Sequence, residues 1–181
     1  MFNKILVAID HSAASKQVFE KALSIAKADN ANLILLHVLS VEKDSPTKSR
    51  YLIQHKDRCI HVNPRIMRLA NEADEREWLE FKRKGIELLR FYSKKAIAAG
   101  VQTEFTQITG QPSSTICEFA LSCHADVIAI GRRGHSSLQE MFLGSVSNYV
   151  VHYAPCSILL VQTSVLEESK LPSNVKNAVY A

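Results

Sequence analysis

Four short runs, KILVAI, NLILLHVL, DVIAI and SILLVQ, are apolar almost without interruption. A strand with one face in water alternates apolar and polar residues. A strand that is apolar at successive positions must be covered on both faces, and that pattern belongs to parallel sheets flanked by helices. Segments with helical spacing separate these runs. After KILVAI, Val18, Ala22 and Ile25 form one stripe with Phe19, Leu23 and Ala26 beside it. Ser12 stands where a helix cap is expected, and Asn30 supplies the stop. The first two runs and this helix make a β-α-β unit with a right-handed crossover.

The pattern breaks after the second run. Residues from Ser40 to about Asn63 are polar and mixed, with Pro46 and Pro64, and read as an insertion, part loop and part helix. Helical spacing returns near Ile66. Trp78, Phe81, Gly85, Leu88, Tyr92, Ala96 and Ala99 predict a long amphipathic helix that Gly100 stops. Gly85 costs about 1 kcal/mol relative to Ala inside a helix, which close packing would offset. VQTEFTQIT reads as a further strand, and Pro112 opens the next helix, with Ile116, Phe119, Ala120 and Cys123 inward. A helix over Ser145–Tyr153 ends before Pro155 and leads into SILLVQ. The expectation is a single α/β domain over 1–163, with an insertion at about 40–80 and a tail at 164–181. Its parallel sheet carries helices on both faces.

Composition narrows the function classes. The chain has 181 residues and a net charge of +4, with no basic stripe interleaved with aromatics, so nucleic acid is not the expected partner. Basic residues between Lys43 and Lys95 mingle with Glu and Asp and read as a solvated helix face. No apolar run reaches the roughly 20 residues of a membrane span, and MFNKILVAID does not read as a signal peptide. Cys59, Cys117, Cys123 and Cys156 form no Cys-x-x-Cys pair, which fits reduced thiols in the cytoplasm. His55, Cys59 and His61 lie close in sequence, but zinc wants four ligands. His37, inside an apolar strand, reads as a core histidine.

Ligands of parallel sheets bind beyond the carboxyl ends of the strands, where strand order reverses. Asp10 ends the first strand, and Gly131 ends the fourth and opens GRRGHSSLQEMFLGS. Gly131 suits a sharp turn, and Gly134 a second turn or a close backbone approach. Gly144 and Ser145 open a helix whose free N–H groups favour an anion. Ser145 is either a phosphate donor or an ordinary cap, and Ser147 is a second hydroxyl nearby. On spacing alone, a turn and a phosphate cradle both remain open. The dinucleotide fingerprint G-x-G-x-x-G and the Walker loop are both missing. GHSSL lacks the final Gly of a hydrolase elbow.

The spacing G-x2-G-x9-G-[ST], at Gly131, Gly134, Gly144 and Ser145, resembles the ATP-binding signature of universal stress proteins. KILVAIDHS, LILLHVL, ADVIAIGRRG and LGSVSNYVVHYAPCSILLV are similar to that family's strands and turns in the same order. The resemblance covers about residues 2 to 39 and 100 to 163. It implies a five-stranded parallel sheet of order 3-2-1-4-5, a Rossmann-like fold of the adenine nucleotide α-hydrolase type. It also implies a cytoplasmic homodimer paired through the fifth strand, Ser157–Gln162.

The same resemblance implies the site. Asp10 contacts the nucleoside side, and Val38 meets adenine through its backbone. Ala8 and Ile130 line an apolar slot. Gly131, Arg133 and Gly134 wrap ribose and phosphates, and Gly144, Ser145 and Val146 hold phosphate. His11 departs from the Gly or Phe that often follows the Asp. ATP is the implied ligand, and Asp10 beside a triphosphate is a candidate partner for Mg2+. No residue is evident to position an attacking water, so the expectation is a nucleotide-sensing module and not an enzyme. The alternatives are an interaction protein of the same fold that binds AMP, a cyclic nucleotide or none, and a slow ATPase.

Overall fold

The computed structural model describes residues 1–40, 64–132 and 144–162, with the backbone alone for 64–75. Strands β1 (Lys4–Ala8), β2 (Asn32–Leu39), β3 (Thr103–Thr109), β4 (Val127–Arg132) and β5 (Ser157–Gln162) form one sheet of order β3-β2-β1-β4-β5. Each neighbouring pair is parallel. Helices α1 (Ala14–Asp29), α2 (Pro64–Ala98), α3 (Pro112–Ser122) and α4 (Ser145–Tyr153) connect them. The expected sheet order and layers are therefore present. No helix among the described residues is long and apolar enough to cross a membrane.

Successive side chains on a strand point to opposite faces, so each apolar run feeds two cores. Ile5, Val7, Leu33, Leu35, Val127 and Ala129 pack under α1 and under Leu89, Tyr92 and Ala96 of α2. Leu6, Ile34, Leu36, Ile128 and Ile130 pack under Ile116 and Ala120 of α3 and Val150 of α4. The edge strands β3 and β5 are more exposed, and β3 shows it in Glu104 and Phe105.

Local signals stop the elements where the chain must turn. Asn30 and Gly100 sit at positive φ, 53° and 84°, just past their helices. Pro112 stands in the first turn of α3, where its missing N–H costs nothing. The insertion around 41–63 and the tail lie outside the described residues, as do His55, Cys59 and His61. α2 begins at Pro64, and among its described side-chain positions, from Arg76 on, the first buried one is Gly85, with Trp78 and Phe81 half-buried. On its exposed side Arg83 pairs with Glu80 and Glu87, as a solvated face should.

Two glycines have roles set by packing. His37 and Gln107 are register partners on β2 and β3, and the Gln107 amide lies 3.0 Å from His37 Nδ1. Gly85 of α2 lies over this pair, and a Cβ there would overlap both side chains. Close packing is thus the reason for a glycine inside the helix. Gly131 does not make the sharp turn expected of it. It lies within β4, paired with Val161, and its φ is not positive. What it provides is closeness: a Cβ would stand 3.1 Å from Ala14 Cβ and 3.2 Å from Val18 Cγ2 of α1. Gly131→Val should therefore push α1 off the sheet and cost about 1–3 kcal/mol, despite the better strand propensity of Val. Urea unfolding measures this, with Gly131→Ala, which brings the Cβ alone, expected to lose less than Gly131→Val.

Candidate functional site

β1 leaves the sheet after Ala8. Ile9 N–H still donates to Leu36 O at 2.8 Å, which holds the chain against β2 for one more residue. Asp10 then turns the chain into α1. Its Oδ1 accepts from Ser12 N–H (3.0 Å), from the Ser12 hydroxyl and from the Ser15 hydroxyl (2.8 Å). Ser15 Oγ in turn accepts from Asp10 N–H at 2.9 Å. The expected cap is changed by this arrangement. Ser12 is occupied with Asp10, and α1 starts after Ala13 with no side-chain cap.

Beyond β1, β2 and β4 lies a cavity of about 320 Å³, within the range of about 300–1,000 Å³ common for small-ligand sites. β1 is the point where strand order reverses, because β2 and β3 lie on one side of it and β4 and β5 on the other. Ala8, Leu36, Val38 and Ile130 line the cavity from the sheet and Ile116 from α3, and together they make an apolar slot. Asp10, Ser12 and Ser15 border it on one side, and Gly144, Ser145, Val146 and Ser147 on the other. Gly131 lines it as well. Arg133 and Gly134 lie outside the described residues.

The second polar side is the start of α4. Gly144 is its N-cap, and Asn148 N–H makes the first helical bond, to Gly144 O at 2.8 Å. The N–H groups of Ser145, Val146 and Ser147 precede that bond and so have no partner within the helix. No side chain caps the helix, so Ser145 does not play the ordinary capping role. Ser147 is buried, and its hydroxyl donates to Gly144 O at 3.0 Å. The hydroxyl proton of this second candidate is therefore engaged within the helix.

The cavity thus has a donor end at α4, an acceptor end at Asp10 and an apolar slot along the sheet. The donor end favours an anion, because the helix dipole adds to the free N–H groups. The slot suits a flat apolar group. His37 also borders the cavity and is 4% exposed, as a core histidine should be. Its ring meets that of His11 edge-on at 5.4 Å between centroids. Burial pushes the thiols of Cys117, Cys123 and Cys156 up, so they are protonated at neutral pH and poor nucleophiles. Among the described residues no three His, Cys, Asp or Glu gather as a metal site.

Ser15 and Leu36 are cavity residues that the sequence did not mark out, and Ile116, expected to point inward, lines the cavity as well as the core. An Asp at a strand end with Ser two residues later is the signal of an Asx-turn, which was available for Ser12. Nothing local signals Ser15, whose reach depends on how α1 leaves the turn.

The chain is 32% identical over 163 residues to the universal stress protein Sll1388 of Synechocystis, covering 89% of this chain and 98% of that one. It is 34% identical over 165 residues to the universal stress protein YxiE of Bacillus subtilis, covering 90% and 100%. Its fold is similar to a universal stress protein solved in complex with cAMP, with a TM-score of 0.60 and 24% identity over 90% of this chain and 99% of that one. It is also similar to a family protein of Arabidopsis thaliana solved with AMP bound, with a TM-score of 0.56 and 22% identity over 95% and 97%. The family model for universal stress proteins matches residues 1–162. With the sheet order and the cavity at its switch point, this match means that the chain belongs to the universal stress protein family.

Proposed function

We propose that this chain binds an adenine nucleotide in the cavity at the carboxyl ends of β1, β2 and β4. The observation that carries the reading is the convergence of an apolar slot, a carboxylate and a helix N-terminus on one small volume. The base would lie in the slot formed by Ala8, Val38 and Ile130. The phosphates would meet Gly144, Ser145 and Val146, with Gly131, Arg133 and Gly134 around them. The complexes of two structural relatives with cAMP and AMP support the same ligand class. ATP is the ligand we favour, on the glycine spacing of the loop. AMP or a cyclic nucleotide is the second reading, since those two relatives hold monophosphates. Mg2+ would come with a triphosphate, with Asp10 as its protein partner.

The chain would act as a sensing module of a stress response in the cytoplasm, and not as an enzyme. Asp10 and His37, the cavity groups best suited to proton transfer, are tied to serines and to Gln107. It would act as a homodimer through β5, an edge strand with half-buried Ile158, Leu159 and Leu160. The test is to purify the protein without added nucleotide, denature it and identify what is released by mass. An adenine nucleotide is expected, and incubation with ATP should release no phosphate above background. A different class of released molecule would overturn the reading.

A further inference from the structure

We propose that His11 is a base-contact residue whose imidazole covers the face of the adenine opposite the aliphatic wall of the slot. This inference rests on the adenine nucleotide reading and deepens it, because it names what shields the second face of the base. Side chains alternate across a strand. Leu36 and Val38 of β2 share the face that packs under α3, with Ile116, and His37 between them takes the face under α2. All four border the cavity, and so does His11. The His11 ring meets the His37 ring edge-on at 5.4 Å between centroids. That contact places His11 across β2 from the aliphatic wall. It also places His11 on the β2 side of the switch point, whereas α4 packs on β4 on the other side. His37 is a fixed support. It is 4% exposed, the Gln107 amide lies 3.0 Å from its Nδ1, and Gly85 of α2 lies over the pair. His11 itself is exposed at the cavity border.

A purine is flat and has two faces to cover. The aliphatic wall covers one, and the other stays in water unless a second flat group meets it. Imidazole is such a group, since stacking on an aromatic side chain needs only the π-face of the base. Residue 11 decides how much of the base is shielded: a Gly there leaves the second face wet, and His or Phe covers it. The phosphates gain nothing from this contact, because on the same reading they lie at the start of α4, beyond β1. His11 should therefore strengthen the binding of the base and leave the binding of phosphate alone.

The test is calorimetric titration of the parent, His11→Ala and His11→Phe with ATP and with tripolyphosphate, which carries the phosphates without the base. The parent should prefer ATP by about tenfold or more. His11→Ala should weaken ATP about five- to tenfold and tripolyphosphate by less than about twofold. His11→Phe should bind ATP within about twofold of the parent, since it keeps a flat face in place. In proton NMR of the parent, the His11 ring signals should move upfield with ATP and not with tripolyphosphate, as the ring current of a stacked base requires. Parent-like ATP binding by His11→Ala would overturn the proposal. So would an equal loss of ATP and tripolyphosphate, or a loss in His11→Phe as large as in His11→Ala. A parent that binds the two ligands equally overturns the base slot and this contact with it. A folded parent that binds neither overturns the nucleotide site itself.

Discussion

Replacing Gly144 by Val and Ser145 by Ala together should abolish adenine nucleotide binding, with a loss of about a hundredfold or more, while the fold survives. The loss follows from where these residues stand. Gly144 is the N-cap of α4 and borders the cavity, and Ser145 is exposed at its first turn. A Val side chain at the cap would occupy the approach to the first N–H groups. Each helix-end charge contact contributes about 0.3–1 kcal/mol, up to about 2 when partly buried. Losing several at once reaches the roughly 2.7 kcal/mol of a hundredfold change. The fold should tolerate the change. Gly144 has φ −59° and ψ 154°, an angle pair open to any residue. Val is a poorer N-cap than Gly, which costs about 1 kcal/mol or less. Calorimetry with ATP and thermal unfolding by circular dichroism check both halves. Parent-like binding by the double variant would mean that the start of α4 does not hold phosphate.

The largest stability effect is expected at the centre of the sheet. Leu35 is 0% exposed on β2, between β1 and β3, and packs into the core beneath α1 and α2. Leu35→Ala should destabilise by about 2–5 kcal/mol, from lost burial and from the cavity left behind. For a domain of this size that is a fall of roughly 10 °C in Tm. Against a typical total of about 5–15 kcal/mol it is a large fraction. Leu79→Ala serves as the control. Leu79 lies on α2 with 63% exposure, so its loss should fall within about 0.5 kcal/mol. Equal losses at the two positions would mean that the core is misplaced.

β1, β2, β4 and β5 were legible as runs apolar at successive positions, the pattern of a strand in a helix-covered parallel sheet, whereas β3 is mixed in sequence. Ser157–Gln162 and Ser145–Tyr153 have the bounds expected from sequence, since Pro155 separates them and Gly144 precedes the helix. Asn30 and Gly100 were legible because positive φ selects those residue types. The roles of Gly131 and Ser12 were not. A glycine needed for a turn and one needed for close contact leave the same letter, and only the approach of Ala14 and Val18 tells them apart. Ser12 has two local partners, the helix start and Asp10, and the structure gives its hydroxyl to Asp10. Gly85 was expected to serve packing, but its partners depend on the register of β2 with β3, which brings His37 beside Gln107. Ala8, Asp10, Val38, Ile130, Gly131, Gly144, Ser145 and Val146 border one cavity, as a ligand site at a switch point requires.

On the proposed reading, the glycine loop and the cavity beside it hold an adenine nucleotide. Calorimetric titration of nucleotide-free protein with ATP, AMP and cyclic AMP decides whether they do. Saturable one-site binding of ATP near micromolar, worth about 8 kcal/mol, is expected, with weaker binding of the other two. No heat with any of the three, from folded protein, would contradict it and leave the glycines as residues of packing and turn alone.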